Sequence, residues 1–225
     1  KNIDIEEIIK KAKDKFANNK LKKEYLYVTD EGDNVLWIVN RSIAEIAGLI
    51  HRTTNAFVVT PNGRLLLQRR GRDDKAFFLC LSIFGGHMGT LTDYAEGIKT
   101  ELQEELRLSS QLQGKLIKVG SEFYDESDDQ NKEHRKLFVY QLTPSEYDEI
   151  LKFETELQDK RGNLSINNFI AWLLEERGKG EGLGEVWQYC EIAFESLQEV
   201  SSELPPAVMK ELRKYDAKFP EGLHY

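Results

Sequence analysis

The chain switches between two hydrophobic periods, and the switches lay out its elements. Residues 3–17 place Ile5, Ile8, Ile9, Ala12 and Phe16 on one face, with Asp4 and Glu7 in capping-box spacing, which predicts an amphipathic leading helix. EYLYVTD then reads as a strand, a turn falls at Glu31 to Asn34, and VLWIV completes a hairpin. Ser42 and Glu45 have capping-box spacing before a short helix that stops near Gly48. From His51, HRTTNAFVVTPNGRLLLQRR reads as strand, Asn62-Gly63 turn and strand. LIKVGSEFY and KLFVYQL are further strands flanking the acidic loop DESDDQNKE.

Residues 144–186 read as a helical insertion. Pro144 and Ser145 open a helix carrying Tyr147, Ile150, Leu151 and Leu157; Ser165 opens another whose apolar face is Ile166, Phe169, Ile170, Leu173 and Leu174. Such faces must bury against the core or a partner. GKGEGLGE lacks the Gly-Lys-Ser/Thr ending of a phosphate loop and reads as a flexible connector, and VMKELRKYDAKF forms a terminal helix after Pro205 and Pro206. No internal repeat is evident.

The chemistry concentrates in residues 85–108, GGHMGTLTDYAEGIKTELQEELRL. A glycine-rich turn runs into a helix whose buried stripe is Tyr94, Ile98, Leu102 and Leu106. Glu101, Glu104 and Glu105 sit at i, i+3 and i+4, so they share a face, and Glu105 points only roughly 40° from the centre of the stripe. Carboxylates gathered there repel one another unless a cation joins them, and hard oxygen donors point to Mg²⁺. A solvated acidic helix is the alternative. Arg69 and Arg70 end a strand with Lys75 just beyond, a cluster suited to phosphate oxygens or, equally, to solvent.

Composition narrows the function classes. The 225 residues are 40% hydrophobic and 31% charged, the balance for one globular domain with an elaboration. A net charge of -8 argues against non-specific binding to nucleic acid or a membrane surface. Cys80 and Cys190 are far apart and lack ligand spacing, no apolar run approaches the ~20 residues that span a bilayer, and the N-terminus is amphipathic rather than signal-like. A cytoplasmic location is expected.

The stretch from Gly86 resembles the Nudix box, the loop–helix signature of hydrolases that cleave a nucleoside diphosphate linked to another moiety. Gly86, Glu101, Glu104 and Glu105 fall in register with it. The resemblance implies that these glutamates, with the Gly86 carbonyl, bind Mg²⁺ or Mn²⁺. Thr92 stands where the box has its first glutamate, Thr100 where it has arginine, and Arg107 where it has a late glycine. These departures leave the ligands but remove their supporting shell, which puts activity in question more than fold.

The order EYLYVTDEGDNVL, NRS, GLIHR, GRLLLQRR, a lysine and GGH resembles the Nudix branch that includes isopentenyl-diphosphate isomerase and its hydrolase relatives. In the isomerase, histidines at the His51 and His87 positions bind metal and the basic strand end contacts the diphosphate. The isomerase also needs a cysteine where this chain has Gly85, and Cys80 lies too early to substitute. Retention of three box glutamates points towards the hydrolases.

The resemblance covers about residues 24–200 without the insertion, and EIAFESLQEV is similar to the late strand and helix of that fold. It implies an α/β/α Nudix sandwich with a mixed sheet over residues 24–225, preceded by the helix within residues 1–23. The implied activity is Mg²⁺-dependent hydrolysis of a small-molecule diphosphate. Glu104 is the first candidate general base and Glu133 the second, with Glu126 behind it; the bland reading of Glu133 is a solvated hairpin tip. Arg69, Arg70, Lys75 and His87 would grip phosphate, His87 alternatively binding metal or a loop, and His51 reads as structural. A binding or regulatory module that has lost efficient chemistry is the competing class, and homodimers are common among such proteins.

Overall fold

In the computed structural model, residues 24–70, 80–108, 111–126, 131–161 and 186–192 are described. Contacts divide the chain into two compact units. One takes in the described residues up to Asn55 with Gly85–Thr100 and Gly120–Phe138; the other takes in Ala56–Phe84, Glu101–Val119 and the described residues from Val139 on.

The first unit begins with the hairpin expected from alternation. β1 (Tyr25–Thr29) pairs antiparallel with β2 (Val35–Asn40), from Tyr25 opposite Asn40 to Val28 opposite Trp37. The turn closes because Asp30 Oδ1 accepts the backbone N–H groups of Gly32 and Asn34, each at 2.9 Å. Helix α1 (Arg41–Ala47) follows directly and ends at Gly48, whose φ of 60° is the left-handed cap that glycine adopts without strain. Its N-cap is Asn40, which accepts the Ser42 N–H at 3.0 Å, so the predicted Ser42–Glu45 box is corrected by two residues. Asn40 already supplies the acceptor at the strand end, leaving Ser42 buried and Glu45 bonded to Arg41 at 2.8 Å. Leu26, Val28 and Ala44 form a small core, with Val39 and Leu49 against it.

β3 (His51–Val59) starts beside β1, with Val28 opposite His51, and also pairs with β6 (Phe84–His87). Gly85 makes that approach possible. Its φ is 130°, and a Cβ there would lie 2.1 Å from the Thr54 carbonyl oxygen. β7 (Lys115–Glu126) pairs with β8 (Asn131–Gln141), and β8 also pairs with β3. These two strands extend into the stretch expected to be an acidic loop.

The second unit is organised on β4 (Leu65–Arg70). It pairs antiparallel with the end of β3, with β5 (Leu81–Ser82) and with β9 (Val186–Ile192). Flanked in this way, Leu65, Leu66 and Leu67 are all buried, which explains an uninterrupted apolar run. The hairpin to β3 forms as expected, with Gly63 at φ 74° in its turn. β9 begins well before the EIAF segment read as the late strand. Its polar positions escaped the alternation rule because they bond to side chains: Gln188 accepts from Arg69 at 3.4 Å, and Glu191 from Thr60 at 3.0 Å and Tyr147 at 2.9 Å.

Helix α2 (Tyr94–Leu106) buries Ile98, Leu102 and Leu106 completely and leaves Tyr94, the first residue of the stripe read from the sequence, half-buried. Helix α3 (Pro144–Arg161) is the described part of the expected insertion. Its start is a reciprocal box in which Thr143 N–H donates to Glu146 Oε2 at 2.8 Å and Glu146 N–H donates to Thr143 Oγ1 at 3.3 Å. The leading helix, the second insertion helix, the glycine-rich connector and the terminal helix lie outside the described residues. No described helix is long and apolar enough to cross a membrane.

Candidate metal centre

Three strands of the first unit deliver one donor each. His51 opens β3, His87 ends β6 and Glu133 lies in β8, and a ligand atom from each falls within 4.8 Å of the other two. Among the described residues this is the one group of three such donors. The close approach at Gly85 brings β6 against β3, and Met88 N–H donates to the Arg52 carbonyl at 3.2 Å just past His87. The two imidazoles consequently stack, with centroids 5.0 Å apart and planes at 16°.

Hydrogen bonding sets the state of His51. Its Nδ1 lies 2.9 Å from the Leu49 carbonyl oxygen, which can only accept, so Nδ1 carries a proton, and in the neutral ring Nε2 presents a lone pair. The residue is 0% exposed, and Nε2 has no hydrogen-bond partner. Leaving such a nitrogen unsatisfied costs about 1–3 kcal/mol, so the site is adapted to something that accepts its lone pair. Glu133 is 6% exposed; its Oε2 accepts from Thr53 Oγ1 at 2.9 Å and from Arg135 at 2.8 Å, while Oε1 lies 4.0 Å from His51 Nε2. Ligands about 2.1 Å from a common cation stand roughly 3–4.2 Å apart, so a modest contraction would bring these donors onto one ion. The donor chemistry fits a divalent transition metal.

A polar network borders the centre. Asp33 accepts from Arg52 Nε at 2.7 Å and Tyr94 OH at 2.9 Å, with Lys136 at 3.5 Å. Burial would raise the Asp33 carboxyl, but its bonds from Arg52 and Tyr94 outweigh that and hold it below its ordinary value. Burial, then the bond to Asp33, pushes the Tyr94 phenol up. Arg52 also reaches the Thr92 carbonyl at 3.4 Å, just before α2, and His134 Nε2 donates to the Asp30 carbonyl at 2.8 Å.

The other expected residues take varied positions. On α2, Glu105 is buried, Glu101 half-buried and Glu104 exposed, as the helical angles required. Gly86 lies in β6 beside His87. Arg69 and Arg70 end β4, half-buried, and Arg70 Nε is a buried donor without a hydrogen-bond partner. Lys75 and the Glu126 side chain lie outside the described residues. The solvated-tip reading of Glu133 is overturned, because Thr53 and Arg135 satisfy its carboxylate inside the strand. Tyr189 was not foreseen: its hydroxyl donates to the Glu105 carbonyl at 2.5 Å, in the last turn of the helix. Thr100 Oγ1 turns back onto the Glu96 carbonyl at 3.0 Å.

A sheet with a few helices, carrying one buried and one half-buried imidazole beside a carboxylate, defines an α/β protein with a donor set for a cation. Over 87 residues the chain is 38% identical to an uncharacterized Nudix hydrolase of a Nostoc species, a match covering 38% of this chain and 52% of that protein. It thus spans about half the length of the curated relative it matches. It aligns with the structure of DR0079 from Deinococcus radiodurans over 85% of this chain and 98% of that one, at TM-score 0.55 and 15% identity. A NUDIX hydrolase from Nitrosomonas europaea aligns over 74% of this chain and 88% of its own, at TM-score 0.45 and 12% identity. No protein-family model matches the chain. The fold is the Nudix fold.

Proposed function

We propose that this protein is a metal-dependent Nudix-type hydrolase that cleaves the diphosphate bond of a nucleoside diphosphate derivative or a related small molecule in the cytoplasm. The observation that carries the metal dependence is the buried, partnerless Nε2 of His51 facing His87 and Glu133. Two imidazoles and a carboxylate suit Mn²⁺ or Zn²⁺, whereas Mg²⁺ suits the oxygen set of Glu101, Glu104, Glu105 and the Gly86 carbonyl that the box resemblance implies. When bound, such an ion neutralises phosphate charge and makes a coordinated water more acidic.

The chain's own groups supply the remainder. Glu104, the exposed carboxylate of α2, accepts the proton from the attacking water. Glu133, tied down by Arg135, serves better as a ligand than as a mobile base. The partnerless Nε of Arg70 supports phosphate binding there, with Arg69 next to it in β4 and Lys75, five residues on in sequence, as the third candidate. The competing module without turnover is favoured by Thr92, Thr100 and Arg107 at the altered box positions. Isomerase chemistry is disfavoured on steric grounds, since a side chain at position 85 meets the Thr54 carbonyl.

Calorimetric titration of Mn²⁺, Zn²⁺ and Mg²⁺ into the protein and its Glu133→Gln variant, beside phosphate release from a diphosphate panel, tests this reading. We expect one site whose affinity falls at least about tenfold in the variant, together with turnover. Binding without turnover would favour the module. Equal binding by both proteins would refute the centre.

A further inference from the structure

Glu133 meets the candidate metal centre with one of its two oxygens already engaged. A carboxylate offers about four lone-pair positions, two on each oxygen. Oε2 accepts twice, from the Thr53 hydroxyl at 2.9 Å and from Arg135 Nη2 at 2.8 Å. Oε1 is turned towards the imidazole, 4.0 Å from His51 Nε2. Both donors come from the strands that carry the ligands. Thr53 lies two residues beyond His51 in β3, and Arg135 two beyond Glu133 in β8, so alternation puts each on the face of its strand that bears the ligand. Thr53 is buried and the Arg135 side chain is 16% exposed, so water competes little with either bond.

We propose that Thr53 and Arg135 are positioning residues that confine Glu133 to ligation through one oxygen and thereby set the centre for Zn²⁺ over harder dications such as Mn²⁺. The proposal rests on the metal centre put forward above and chooses between the ions its donors suit. Two imidazoles and one carboxylate oxygen make three protein donors, a complement that zinc sites use beside a water. Harder ions favour oxygen, and they gain most from a carboxylate that can close on them with both oxygens. For Glu133 to do so, the Thr53 bond and the charge-assisted Arg135 bond must first give way. A buried carboxylate can be satisfied by donors spread over both oxygens. Convergence of the two donors on Oε2 is what fixes Oε1 as the oxygen facing His51.

The test is the ratio of Zn²⁺ to Mn²⁺ affinity in the metal-free full chain, Zn²⁺ read by competition with a chromophoric chelator and Mn²⁺ by the paramagnetic resonance of the free ion. Glu133→Gln identifies the binding that belongs to this centre. The ratio is expected to fall at least about tenfold in Thr53→Val, and further in Thr53→Val/Arg135→Met, while Thr53→Ser, which keeps the hydroxyl, keeps the parent's ratio. Loss of the Arg135 charge acts on both dications alike, so the ratio isolates the effect on Glu133. A merely structural role would lower both affinities together, along with the unfolding midpoint of the metal-free protein, and leave the ratio unchanged. That result, affinities indifferent to every variant at positions 53 and 135, or a ratio lost equally in Thr53→Ser would each overturn the proposal. If the parent shows no binding that Glu133→Gln removes, the metal centre itself is refuted, and this inference with it. Binding with an unchanged ratio refutes only the role given to Thr53 and Arg135.

Discussion

Arg107 stands where the Nudix box has its late glycine, and the structure shows what that exchange costs. The residue follows the last turn of α2 with φ at 54°, in the left-handed region. A Cβ in that conformation costs roughly 1–2 kcal/mol, which glycine avoids, although glycine forfeits about 0.4–1 kcal/mol through its freer unfolded state. Arg107→Gly should therefore be more stable than Arg107→Ala by about 0.5–1 kcal/mol. The arginine itself recovers part of the strain, because its guanidinium lies 4.8 Å from the Phe153 ring centroid, a contact worth about 0.5–1 kcal/mol. The expected order is arginine close to glycine, with alanine lowest. Were residue 107 an ordinary helical position, alanine would exceed glycine by about 1 kcal/mol, so the sign of the difference decides. Urea unfolding of the three proteins at neutral pH, compared through their midpoints at a common slope, reads that sign. Alanine equal to or above glycine would refute the reasoning. The expected order would mean that arginine here costs little stability relative to glycine, because the Phe153 contact offsets the left-handed strain.

Two further outcomes follow from groups already placed. Glu146 is 2% exposed and accepts from Tyr140 OH at 2.5 Å, Gln113 N–H at 2.8 Å and Thr143. Burial alone would raise its carboxyl, but the bonds from Tyr140, Thr143 and Gln113 prevail and lower it below the usual 4.5. With the folded value below the unfolded one, the unfolded chain binds more protons, so the contribution is complete above about pH 5 and disappears as pH falls through the lowered folded value. Acid unfolding curves should show Glu146→Gln less stable at neutral pH by about 2 kcal/mol, with a shallower decline on acidification. Gly85→Ala, forced to φ 130° against the Thr54 carbonyl, should lose at least about 3 kcal/mol in thermal unfolding and disturb the His51–His87 stack; a loss under about 1 kcal/mol would show that β6 can shift away from β3.

Elements whose local rules agreed were legible in advance. The α2 stripe carries a clear helical period, Gly48 stops α1, and the alternation from Tyr25 to Val39 forms a hairpin because its turn contains Asp30, Gly32 and Asn34. The inward aim of Glu105 followed from angle alone. β9 was placed late because Gln188 and Glu191 look like solvent positions until Arg69, Thr60 and Tyr147 are set opposite them. Tyr189 belonged to the same unseen strand.

The candidate metal centre shows why local pattern has a limit. Periodicity registers which residues share a face of one element, so three glutamates on a single helix announce themselves. His51, His87 and Glu133 come from three strands, and their meeting depends on strand register, which no window of the sequence contains. By local pattern each is unremarkable alone, a histidine opening a strand, a histidine after two glycines, a glutamate in an acidic run, and it was the family resemblance that singled out the two histidine positions. What converts the glutamate from a surface charge into a buried donor is Thr53, 80 residues away, with Arg135 two residues on. What converts the first histidine is the Leu49 carbonyl, which fixes its tautomer and leaves the inner nitrogen without a partner. The trio also draws on none of the altered box positions, Thr92, Thr100 or Arg107, so those departures leave its donors intact.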